Sequence, residues 1–365
     1  MKKSKIYYDA NFAIKQYRGM GKYINNFVSV IKSETKEIPI GLLVGGEKSS
    51  DESIAFGLLN YVLWEQISLP RFLKKKSGIV LFPYNTAPLF LNITSRHVLI
   101  LHDLIYMHGF ETNSLKQKIG AYYRRFIVPK IIHKFENIIT VSEYSKTEII
   151  SRFNIPASRI TVIYNSVVLD QEHTENLDVD SRDNYIFHIG GEPAYKNSKS
   201  VISAFARLDI KLQEKYKLKI VGIRNEKSRK EYHSFINKLG LENKVTLLEY
   251  QTDAEITCLY QKASVFVFPS LYEGFGIPII ESFKYGCPLV CSNSSCFPEV
   301  AGDGAIFFDP QDINSIATAI ELAVSDKNKA EQIVSNGYLQ LQRFSQESFR
   351  ERVVNWYNFN YNKIQ

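Results

Sequence analysis

The protein has 365 residues and a formal net charge of +7, and hydrophobic residues make up 45% of it. These values exclude a disordered or fibrous chain and favour a globular protein with two domains. The amino terminus is basic but has no apolar run after it, and no stretch reaches the roughly eighteen apolar residues of a membrane-spanning helix. We therefore expect a soluble or peripheral protein without a signal peptide.

The positive charge is concentrated in the first half of the chain. Residues 1–170 carry 23 Lys and Arg against 13 Asp and Glu, whereas residues 171–365 carry 22 against 25. A basic half beside a nearly neutral half predicts that one face of the protein meets an anionic partner.

Strand-like and helical segments alternate along both halves of the chain. In the first half the strand-like runs are residues 38–44, 78–82, 97–101, 137–141 and 160–164, with helical stretches such as 21–32 and 145–153. In the second half the strand-like runs are 185–189, 217–221, 245–248, 265–269 and 288–291, with helical stretches at 198–208 and 230–239. The polar, acidic residues 170–183 between the halves predict a linker. The alternation predicts an α/β architecture with parallel sheets, whose ligands bind at the carboxyl ends of the strands.

One segment of the second half combines glycines and carboxylates in a pattern suited to ligand binding. Residues 273–288 read EGFGIPIIESFKYGCP and follow the strand-like VFVFPS. The loop Gly274–Gly276 therefore lies at a strand-to-helix junction, where backbone N–H groups bind phosphates or hydroxyls. Glu273 and Glu281 bracket this loop and are able to accept hydrogen bonds from vicinal hydroxyls. On spacing alone, a helix-capping Glu273 and a solvated Glu281 remain an alternative.

This segment resembles the Glu-x7-Glu signature of the family 4 glycosyltransferases, which are retaining enzymes. Further segments resemble the family in the same order along the chain: RGMGKY at 18–23, LHDL at 101–104, ITVSEYSK at 139–146, VIYNSV at 162–167, and FPEVAGDGA at 297–305 followed by DP at 309–310. The resemblance covers nearly the whole chain. It implies the GT-B fold, in which two Rossmann-like domains with parallel sheets face each other across a cleft.

The resemblance also implies the domain boundaries. We expect an acceptor-side N-terminal domain at residues 1–168 and a nucleotide-sugar-binding C-terminal domain at 184–346. The last helix, at about 347–365, is expected to pack back on the N-terminal domain.

The residues that the resemblance implies for donor binding are Gly19, Gly21, Lys196, Arg224, Glu273, Gly274, Phe275, Gly276, Ile277 and Glu281. Lys196 matches the family's phosphate-binding lysine, which stabilises the charge on the leaving diphosphate. We expect Glu273 to bind the transferred sugar and Glu281 to bind the ribose.

The arginine that accompanies this lysine in the family is missing. Gly191 or Glu192 stands at its place, and Tyr195 precedes the lysine where many members have Arg. Arg224 is the candidate replacement, and a solvated loop arginine is the alternative.

The predicted catalytic residues are His102, Glu273 and Lys196. A histidine at a strand end is commonly a structural hydrogen-bonding group. The match of His102 to the family's His-Asp-Leu segment favours a role toward the reacting sugar's hydroxyls or the acceptor. The resemblance implies displacement on the same face of the sugar, assisted by the leaving phosphate oxygen.

The acceptor side is predicted from residues 114–135, a helical segment that mixes aromatic residues, isoleucines and cations. The candidate contact residues are Lys116, Lys118, Arg124 and Arg125. A basic aromatic helix of this type rests on anionic membrane surfaces. The alternative is an amphipathic helix that packs on its own domain with its cations solvated.

No metal or cofactor is expected. No Asp-x-Asp motif stands out, and Cys258, Cys287, Cys291 and Cys296 have no zinc-site spacing, so we interpret them as free cytosolic thiols. Members of the family generally need no divalent ion, and the only co-substrate implied is a nucleoside diphosphate sugar.

The predicted function is transfer of a hexose or deoxyhexose from such a donor to a lipid-linked oligosaccharide in bacterial surface polysaccharide synthesis, such as that of O-antigen or capsule. The expected location is the cytoplasm, at the inner face of the cytoplasmic membrane, with no nucleic acid partner. A soluble acceptor and a non-catalytic protein that binds sugar nucleotides are the alternatives. A nicotinamide-dependent oxidoreductase is disfavoured because no Gly-x-Gly-x-x-Gly follows a strand with an acidic residue downstream.

Overall fold

The structure is a computed structural model that describes residues 5–11, 13, 19–34, 40–45, 53–58, 60–76, 78–110, 115–167 and 182–361. Arg18 of the glycine-rich segment and residues 170–181 of the predicted linker lie outside these ranges. The chain divides into two compact units. The N-terminal unit comprises Met1–His108, Lys116–Asn165 and Glu347–Gln365, and the C-terminal unit comprises Gly109–Leu115 and Ser166–Gln346.

The N-terminal unit is built on a parallel sheet of seven strands. The strands are β1 (Lys5–Asp9), β2 (Ile40–Gly45), β3 (Ser53–Phe56), β4 (Gly78–Phe82), β5 (His97–Ile100), β6 (Asn137–Thr140) and β7 (Ile160–Val162), in the spatial order β3-β2-β1-β4-β5-β6-β7. The helices are α1 (Met20–Glu34), α2 (Tyr61–Leu63), α3 (Leu69–Leu73), α4 (Leu115–Ile131) and α5 (Glu143–Phe153), and a π-helical turn at Trp64–Ser68 joins α2 to α3. All five residues of β4 are buried, as expected for a central parallel strand that helices cover on both faces.

The C-terminal unit repeats this architecture with a parallel sheet of six strands. The strands are β8 (Asp183–Ile189), β9 (Lys217–Val221), β10 (Val245–Leu247), β11 (Ala263–Phe268), β12 (Leu289–Ser292) and β13 (Ile306–Phe308), in the order β10-β9-β8-β11-β12-β13. The helices are α6 (Ser198–Phe205), α7 (Ile210–Lys215), α8 (Glu226–Lys238), α9 (Asp253–Lys262), α10 (Ile277–Lys284), α11 (Phe297–Ala301), α12 (Ile313–Ser325) and α13 (Lys327–Leu341). The chain order reverses between β8 and β11, and open α/β sheets bind ligands at such a point.

The last helix, α14 (Gln346–Tyr361), lies in the N-terminal unit apart from its first residue. The Trp356 ring centroid is 5.3 Å from that of Phe27, and the Phe349 centroid is 5.7 Å from that of Tyr23. Both partners belong to α1, so aromatic edge-to-face contacts hold the carboxyl-terminal helix on the first helix of the chain.

The predicted strands agree closely with the observed ones. Those at 78–82 and 217–221 have the predicted bounds, and the others differ by one or two residues at one or both ends, with residues 38–39 of the first prediction outside the described ranges. The linker prediction is wrong at its end, because Asp183 is the first residue of β8. The helix predicted at 198–208 ends at Phe205, and the one predicted at 230–239 begins at Glu226. The strands β1, β3 and β13 were not predicted.

Candidate functional site

Two loops of the C-terminal unit meet because the strands before them are neighbours. β8 and β11 pair in parallel, with His188 opposite Val267, so the loops that follow these strands leave the same edge of the sheet. The N–H of Leu271 in the second loop donates to the carbonyl oxygen of Tyr195 in the first, at 2.8 Å. Asn197, in the left-handed region at φ 54°, donates from Nδ2 to the Pro269 carbonyl oxygen at 3.3 Å. The two loops therefore form one hydrogen-bonded surface.

This surface brings together two of the predicted catalytic residues, Lys196 and Glu273. The Lys196 ammonium lies 2.7 Å from Oε1 of Glu273, and the two side chains are 20% and 18% exposed. The ammonium also lies 5.7 Å from the ring centroid of Phe268 and 5.5 Å from that of Tyr195. A partly buried ion pair thus occupies the place where the sequence predicted binding of the phosphate and the sugar.

The glycine loop that follows Glu273 leads directly into α10. Gly276 is the residue before the helix, and its φ of +84° is in the left-handed region, where a side chain is strained. The residue that caps this helix is Gly276, which has no side chain, and the Glu273 carboxylate accepts a hydrogen bond from Lys196 instead, so helix capping is not the role that this arrangement gives Glu273. Phe275 is buried, whereas Gly274 and Ile277 are partly exposed. Of the first three residues of α10, Pro278 has no N–H and the N–H of Ile279 donates to the Gly276 carbonyl oxygen at 2.9 Å. The donor that the helix start places beside the glycine loop is therefore the Ile277 N–H, which suits an anion or a hydroxyl.

Glu281 lies one turn into the same helix and is partly buried. Its Oε2 accepts a hydrogen bond from the Tyr260 hydroxyl at 3.2 Å. Burial, and then the nearby Glu281 carboxylate, raise the pKa of Tyr260 well above its ordinary value, so the hydroxyl stays a donor. Glu281 is therefore not the freely solvated side chain of the alternative interpretation, because it is partly buried and hydrogen-bonded.

Glu192, which occupies one possible place of the family's arginine, connects two loops of this unit. Its Oε1 accepts the backbone N–H of Arg224 at 2.7 Å and that of Asn225 at 2.9 Å. Burial raises the pKa of Glu192, but these backbone hydrogen bonds outweigh it and the pKa is lowered overall. The side chain of Arg224 is exposed, with its guanidinium 5.1 Å from the ring centroid of Tyr250. Arg224 is thus held on the neighbouring loop, and its role toward a phosphate stays a prediction.

His188 lies in β8 just before the first of these two loops, and it was not predicted as a residue of the site. It is fully buried, with Nδ1 at 3.0 Å from the Val267 carbonyl oxygen and Nε2 at 2.8 Å from Oγ of Ser198. Burial lowers the pKa of His188 to about 4, so the ring is neutral, and Nδ1 donates because a carbonyl only accepts. A Cβ on Gly190 would lie 2.5 Å from Oγ of Ser198, so this position requires glycine. A lone histidine within an apolar strand is the only sequence signal for this arrangement.

The third predicted catalytic residue, His102, lies in the N-terminal unit directly after β5. Its Nε2 is 3.0 Å from the Pro83 carbonyl oxygen, and its backbone N–H donates to Oδ1 of Asn85 at 2.6 Å. Burial lowers the pKa of His102 to about 4. The ring is therefore neutral, with Nε2 donating to the carbonyl and Nδ1 carrying the lone pair. A histidine in this state accepts a hydrogen bond from a hydroxyl at Nδ1.

The glycines of the N-terminal segment lie at the start of α1. Gly19 has a φ of +79° and immediately precedes the helix, and Gly21 is buried in its first turn. Tyr23, two residues on, donates from its hydroxyl to the Ile163 carbonyl oxygen at 3.0 Å and packs edge-on against His102 at 5.0 Å. The glycine-rich turn is thus connected through Tyr23 to the surroundings of His102.

The helix α4 carries an exposed apolar stripe that the sequence analysis did not single out. Ile119, Tyr122 and Phe126 are 58%, 67% and 57% exposed, and Lys130 Nζ lies 3.3 Å from the Phe126 ring centroid. Spacings of three and four residues place these side chains on one face.

The cations predicted for the acceptor side differ in their surroundings. Lys118 is exposed, whereas Arg124 and Arg125 are partly buried. Arg124 Nη1 donates to the Gly120 carbonyl oxygen at 3.3 Å, and Arg125 Nε donates to the Tyr106 carbonyl oxygen. The side chain of Lys116 lies outside the described residues. Arg125 therefore connects α4 to the turn at Tyr106, whereas the hydrogen bond of Arg124 lies within α4.

A buried network of carboxylates and hydroxyls in the N-terminal unit was also missed. Asp9, at the carboxyl end of β1, accepts the N–H and Nδ2 of Asn11 at Oδ1 and the hydroxyl of Tyr61 at Oδ2. The Tyr61 hydroxyl, whose single proton serves one carboxylate at a time, also lies 3.1 Å from Oε1 of Glu65. Glu65 accepts hydrogen bonds from Gln66, Thr86 and Tyr123. Burial raises the pKa of Asp9 to about 7 and also raises the pKa of Glu65. An acidic residue at a strand end was the available signal, but β1 itself was not predicted.

Within the described ranges, no group of three or more His, Cys, Asp or Glu could hold a metal ion. In the same ranges, no helix has the length and apolar character needed to cross a bilayer. The four cysteines are free thiols, and all but Cys258 are buried. Metal independence stays a prediction.

Solved structures share the fold of the whole chain. Sucrose-phosphate synthase from Thermosynechococcus elongatus matches with a TM-score of 0.76 at 16% identity, over 99% of this chain and 100% of that one. HepE from Anabaena in complex with UDP and glucose matches with a TM-score of 0.71 at 19% identity, over 97% and 99%. At this identity the likeness shows the fold alone, which is the predicted GT-B fold.

Curated relatives are similar in sequence over part of their length. O-antigen chain mannosyltransferase B of Escherichia coli is 32% identical over 228 residues, 60% of this chain and 60% of that protein. O-antigen chain mannosyltransferase RfbU of Salmonella typhimurium is 28% identical over 288 residues, 79% and 75%. N-acetylgalactosamine-N,N'-diacetylbacillosaminyl-diphospho-undecaprenol 4-alpha-N-acetylgalactosaminyltransferase of Campylobacter jejuni is 26% identical over 227 residues, 59% and 60%. The chain thus spans less than two thirds of the first and third of these relatives.

Two family models match the chain one after the other. The model of glycosyltransferase family 4 matches residues 54–171, and that of the glycosyl transferases group 1 matches residues 170–340. The second match contains Lys196, Glu273 and Glu281, and the first contains His102. The prediction from the motifs is confirmed, and the chain belongs to the family 4 glycosyltransferases of group 1.

Proposed function

We propose that the protein is a retaining glycosyltransferase that moves a hexose from a nucleoside diphosphate sugar to a lipid-linked oligosaccharide in bacterial surface polysaccharide synthesis. The observation that carries this proposal is the contact of Lys196 with Glu273 beside the glycine loop and the start of α10. A cation, a carboxylate and a helix N-terminus in one partly buried place match the diphosphate and the sugar hydroxyls of such a donor.

Each donor-site residue has a distinct role in this proposal. Lys196 and the Ile277 N–H at the start of α10 stabilise the charge that develops on the leaving diphosphate. Glu273 accepts hydrogen bonds from hydroxyls of the transferred sugar. Glu281, oriented by Tyr260, accepts them from the ribose.

The chemical step exchanges two bonds on the same face of the sugar. The bond between the anomeric carbon and the phosphate oxygen breaks, and the acceptor oxygen bonds to that carbon while its proton passes to the leaving phosphate. His102 is neutral, and its Nδ1 lone pair suits it to orient a hydroxyl. A stabilised phosphate leaving group is therefore the main requirement that the protein has to meet.

The names of the relatives support mannose as the first sugar to test. Two of them are named O-antigen chain mannosyltransferases. HepE was solved with UDP and glucose, which supports a nucleoside diphosphate but does not fix the base. UDP, GDP and dTDP donors are therefore all to be compared.

The lipid-linked acceptor is supported by the surface of α4 and by one relative's name. The exposed Ile119, Tyr122 and Phe126 form an apolar stripe beside Lys118 and Lys130, the pattern of helices that lie in the interface of anionic membranes. The Campylobacter jejuni relative is named for an acceptor on diphospho-undecaprenol. We propose peripheral contact with the inner face of the cytoplasmic membrane.

A screen of nucleotide sugars tests the proposed reaction. The purified protein is incubated with UDP, GDP and dTDP sugars and with lipid-extracted acceptors, with and without EDTA, and nucleoside diphosphate release is measured. We expect one donor to be consumed, EDTA to have no effect, and lipid extract to accelerate release. Consumption with soluble sugars alone would favour a soluble acceptor, and tight binding without turnover would favour a non-catalytic protein.

A further inference from the structure

The charges of Lys196 and Glu273 neutralise each other in the C-terminal unit. The two side chains are about four-fifths buried, and Nζ lies 2.7 Å from Oε1. Among the residues that the structure describes, Lys196 has no second carboxylate within ion-pair distance, and the rings of Tyr195 and Phe268 lie within 6 Å of its ammonium. Separating the pair without offering new partners would therefore leave two partly desolvated charges uncompensated, which is unfavourable.

The backbone around Glu273 is fixed from both sides. Its N–H donates to Oγ of Ser295 at 3.3 Å, and its carbonyl oxygen accepts from Sγ of Cys296 at 3.3 Å. Cys296 is fully buried, and Ser295 has a positive φ of 51°. Because these two contacts hold the backbone of Glu273, we expect the pair to exchange partners by movement of the side chains.

A donor and a nucleoside diphosphate offer this pair different replacements. The intact donor brings a diphosphate for Lys196 and sugar hydroxyls for Glu273, so both members keep a partner. The nucleoside diphosphate brings a partner for Lys196 only, and Glu273 is left buried without its counter-charge. The same ion pair thus weakens binding of the product more than binding of the substrate.

We propose that the Lys196–Glu273 ion pair selects the intact donor over the nucleoside diphosphate and that its re-formation after transfer promotes product release. This inference rests on the proposed donor site. It gives Glu273 a second role, as a competitor of the diphosphate for Lys196, beyond its contact with the transferred sugar.

The test is calorimetric titration of wild type and Glu273→Gln with UDP, GDP and dTDP, and with the hexose-bearing form of whichever nucleotide binds. Glutamine keeps the shape of the side chain and removes its charge. We expect the nucleoside diphosphate to bind Glu273→Gln about tenfold more tightly, the size of one charge-assisted contact. The intact donor should not bind Glu273→Gln more tightly than it binds wild type. Glu331→Gln, which removes one partner of the exposed Lys327–Glu331 pair in the same unit, is the matched control and should bind as wild type does.

The double variant Lys196→Ala/Glu273→Gln separates the pair from general charge effects. If the gain comes from release of Lys196, it must vanish in this variant. Two outcomes overturn the inference and leave the proposed function standing. In the first, wild type binds a nucleotide and Glu273→Gln binds it no more tightly. In the second, the gain in nucleotide affinity survives in the double variant. Absence of nucleotide binding in both wild type and Glu273→Gln overturns the proposed function and the inference with it.

Discussion

The hydroxyl of Tyr260 donates a hydrogen bond to the carboxylate of Glu281 at 3.2 Å, from a ring that is fully buried. The same hydroxyl lies 3.4 Å from the carbonyl oxygen of Pro278. The last turn of α9 thus fixes both the first turn of α10 and the carboxylate one turn further on. Tyr260 is therefore a positioning residue for Glu281.

Replacement of Tyr260 by Phe tests this relationship. The ring packing stays, and the loss of one hydrogen bond should lower the free energy of unfolding by only about 1 kcal/mol. Because Glu281 loses its orientation, nucleotide affinity should fall roughly three- to tenfold. Calorimetric titration measures the nucleotide affinity. Tyr216→Phe is the control, because the Tyr216 hydroxyl contacts the Val324 carbonyl oxygen and not Glu281. Equal affinity of Tyr260→Phe and wild type would refute the positioning role.

Arg224→Ala tests whether this residue supplies the cation that is missing before Lys196. If it does, affinity for the nucleoside diphosphate should fall about tenfold at low salt, and by less as ionic strength rises. Arg207→Ala is the control, because Arg207 is an exposed arginine of the same unit that contacts Asn314. Identical binding by the two variants would assign Arg224 to the solvated surface.

Asp9 makes the stability of the protein depend on pH. Its pKa of about 7 in the folded protein, against 3.8 ordinarily, means that the folded state holds this proton more tightly than the unfolded chain. The stability contribution is therefore complete below about pH 4 and is lost as the pH rises through about 7. The groups that face Asp9 are Asn11, Tyr61 and Glu65.

Asp9→Asn removes this titration. Relative to wild type, the variant should gain stability between about pH 4 and pH 7, on the order of 4 kcal/mol at most. Urea unfolding of both proteins from pH 5 to 8 measures the difference. The pKa of His102 and of His188 is about 4, so these histidines destabilise the folded state as the pH falls below 6.5. This contribution is the same in both proteins and cancels in the difference between them. Parallel stability curves would show that Asp9 is ionised throughout.

The apolar stripe of α4 is tested by the triple variant Ile119→Ser/Tyr122→Ser/Phe126→Ser. These side chains are exposed, so the fold should be retained, and binding to phosphatidylglycerol vesicles should fall at least about tenfold. Leu339→Ser, which changes a residue that is 72% exposed on α13, is the control. Vesicle flotation that is unchanged in the triple variant would remove α4 from the membrane contact.

The sequence pattern predicted most strands of both sheets, including the edge strands β7 and β10, but not β1, β3 or β13. β4 is predicted with its observed bounds because its GIVLF sequence is a continuous apolar run, as is typical of a central parallel strand. β3 and β13 are edge strands of four and three residues, and segments this short carry little periodicity, so some are predicted, as β7 and β10 are, and others are missed. β1 is central, but its KIYYD sequence is bounded by charges and resembles an exposed strand.

The residues of the candidate site that belong to family motifs could be predicted from the sequence. Lys196, Glu273 and Glu281 follow from the resemblance, but their pairing does not, because Lys196 and Glu273 are 77 residues apart and meet through the contact of β8 with β11. Tyr260 acts through one hydrogen bond and Glu192 through two, and none of these contacts leaves a spacing pattern in the sequence. Residues that act by contacting a site residue in this way are identified only from the three-dimensional structure.

We propose that the C-terminal unit binds and uses a nucleoside diphosphate sugar through Lys196 and Glu281. The most direct measurement is the rate of sugar transfer to lipid-linked acceptor with the donor found in the screen, for wild type, Lys196→Ala and Glu281→Ala, with melting temperatures alongside. We predict that both variants stay folded and lose at least about a hundredfold in rate, as expected when a group that stabilises developing charge or holds the donor is removed. Undiminished transfer in both folded variants would contradict the account.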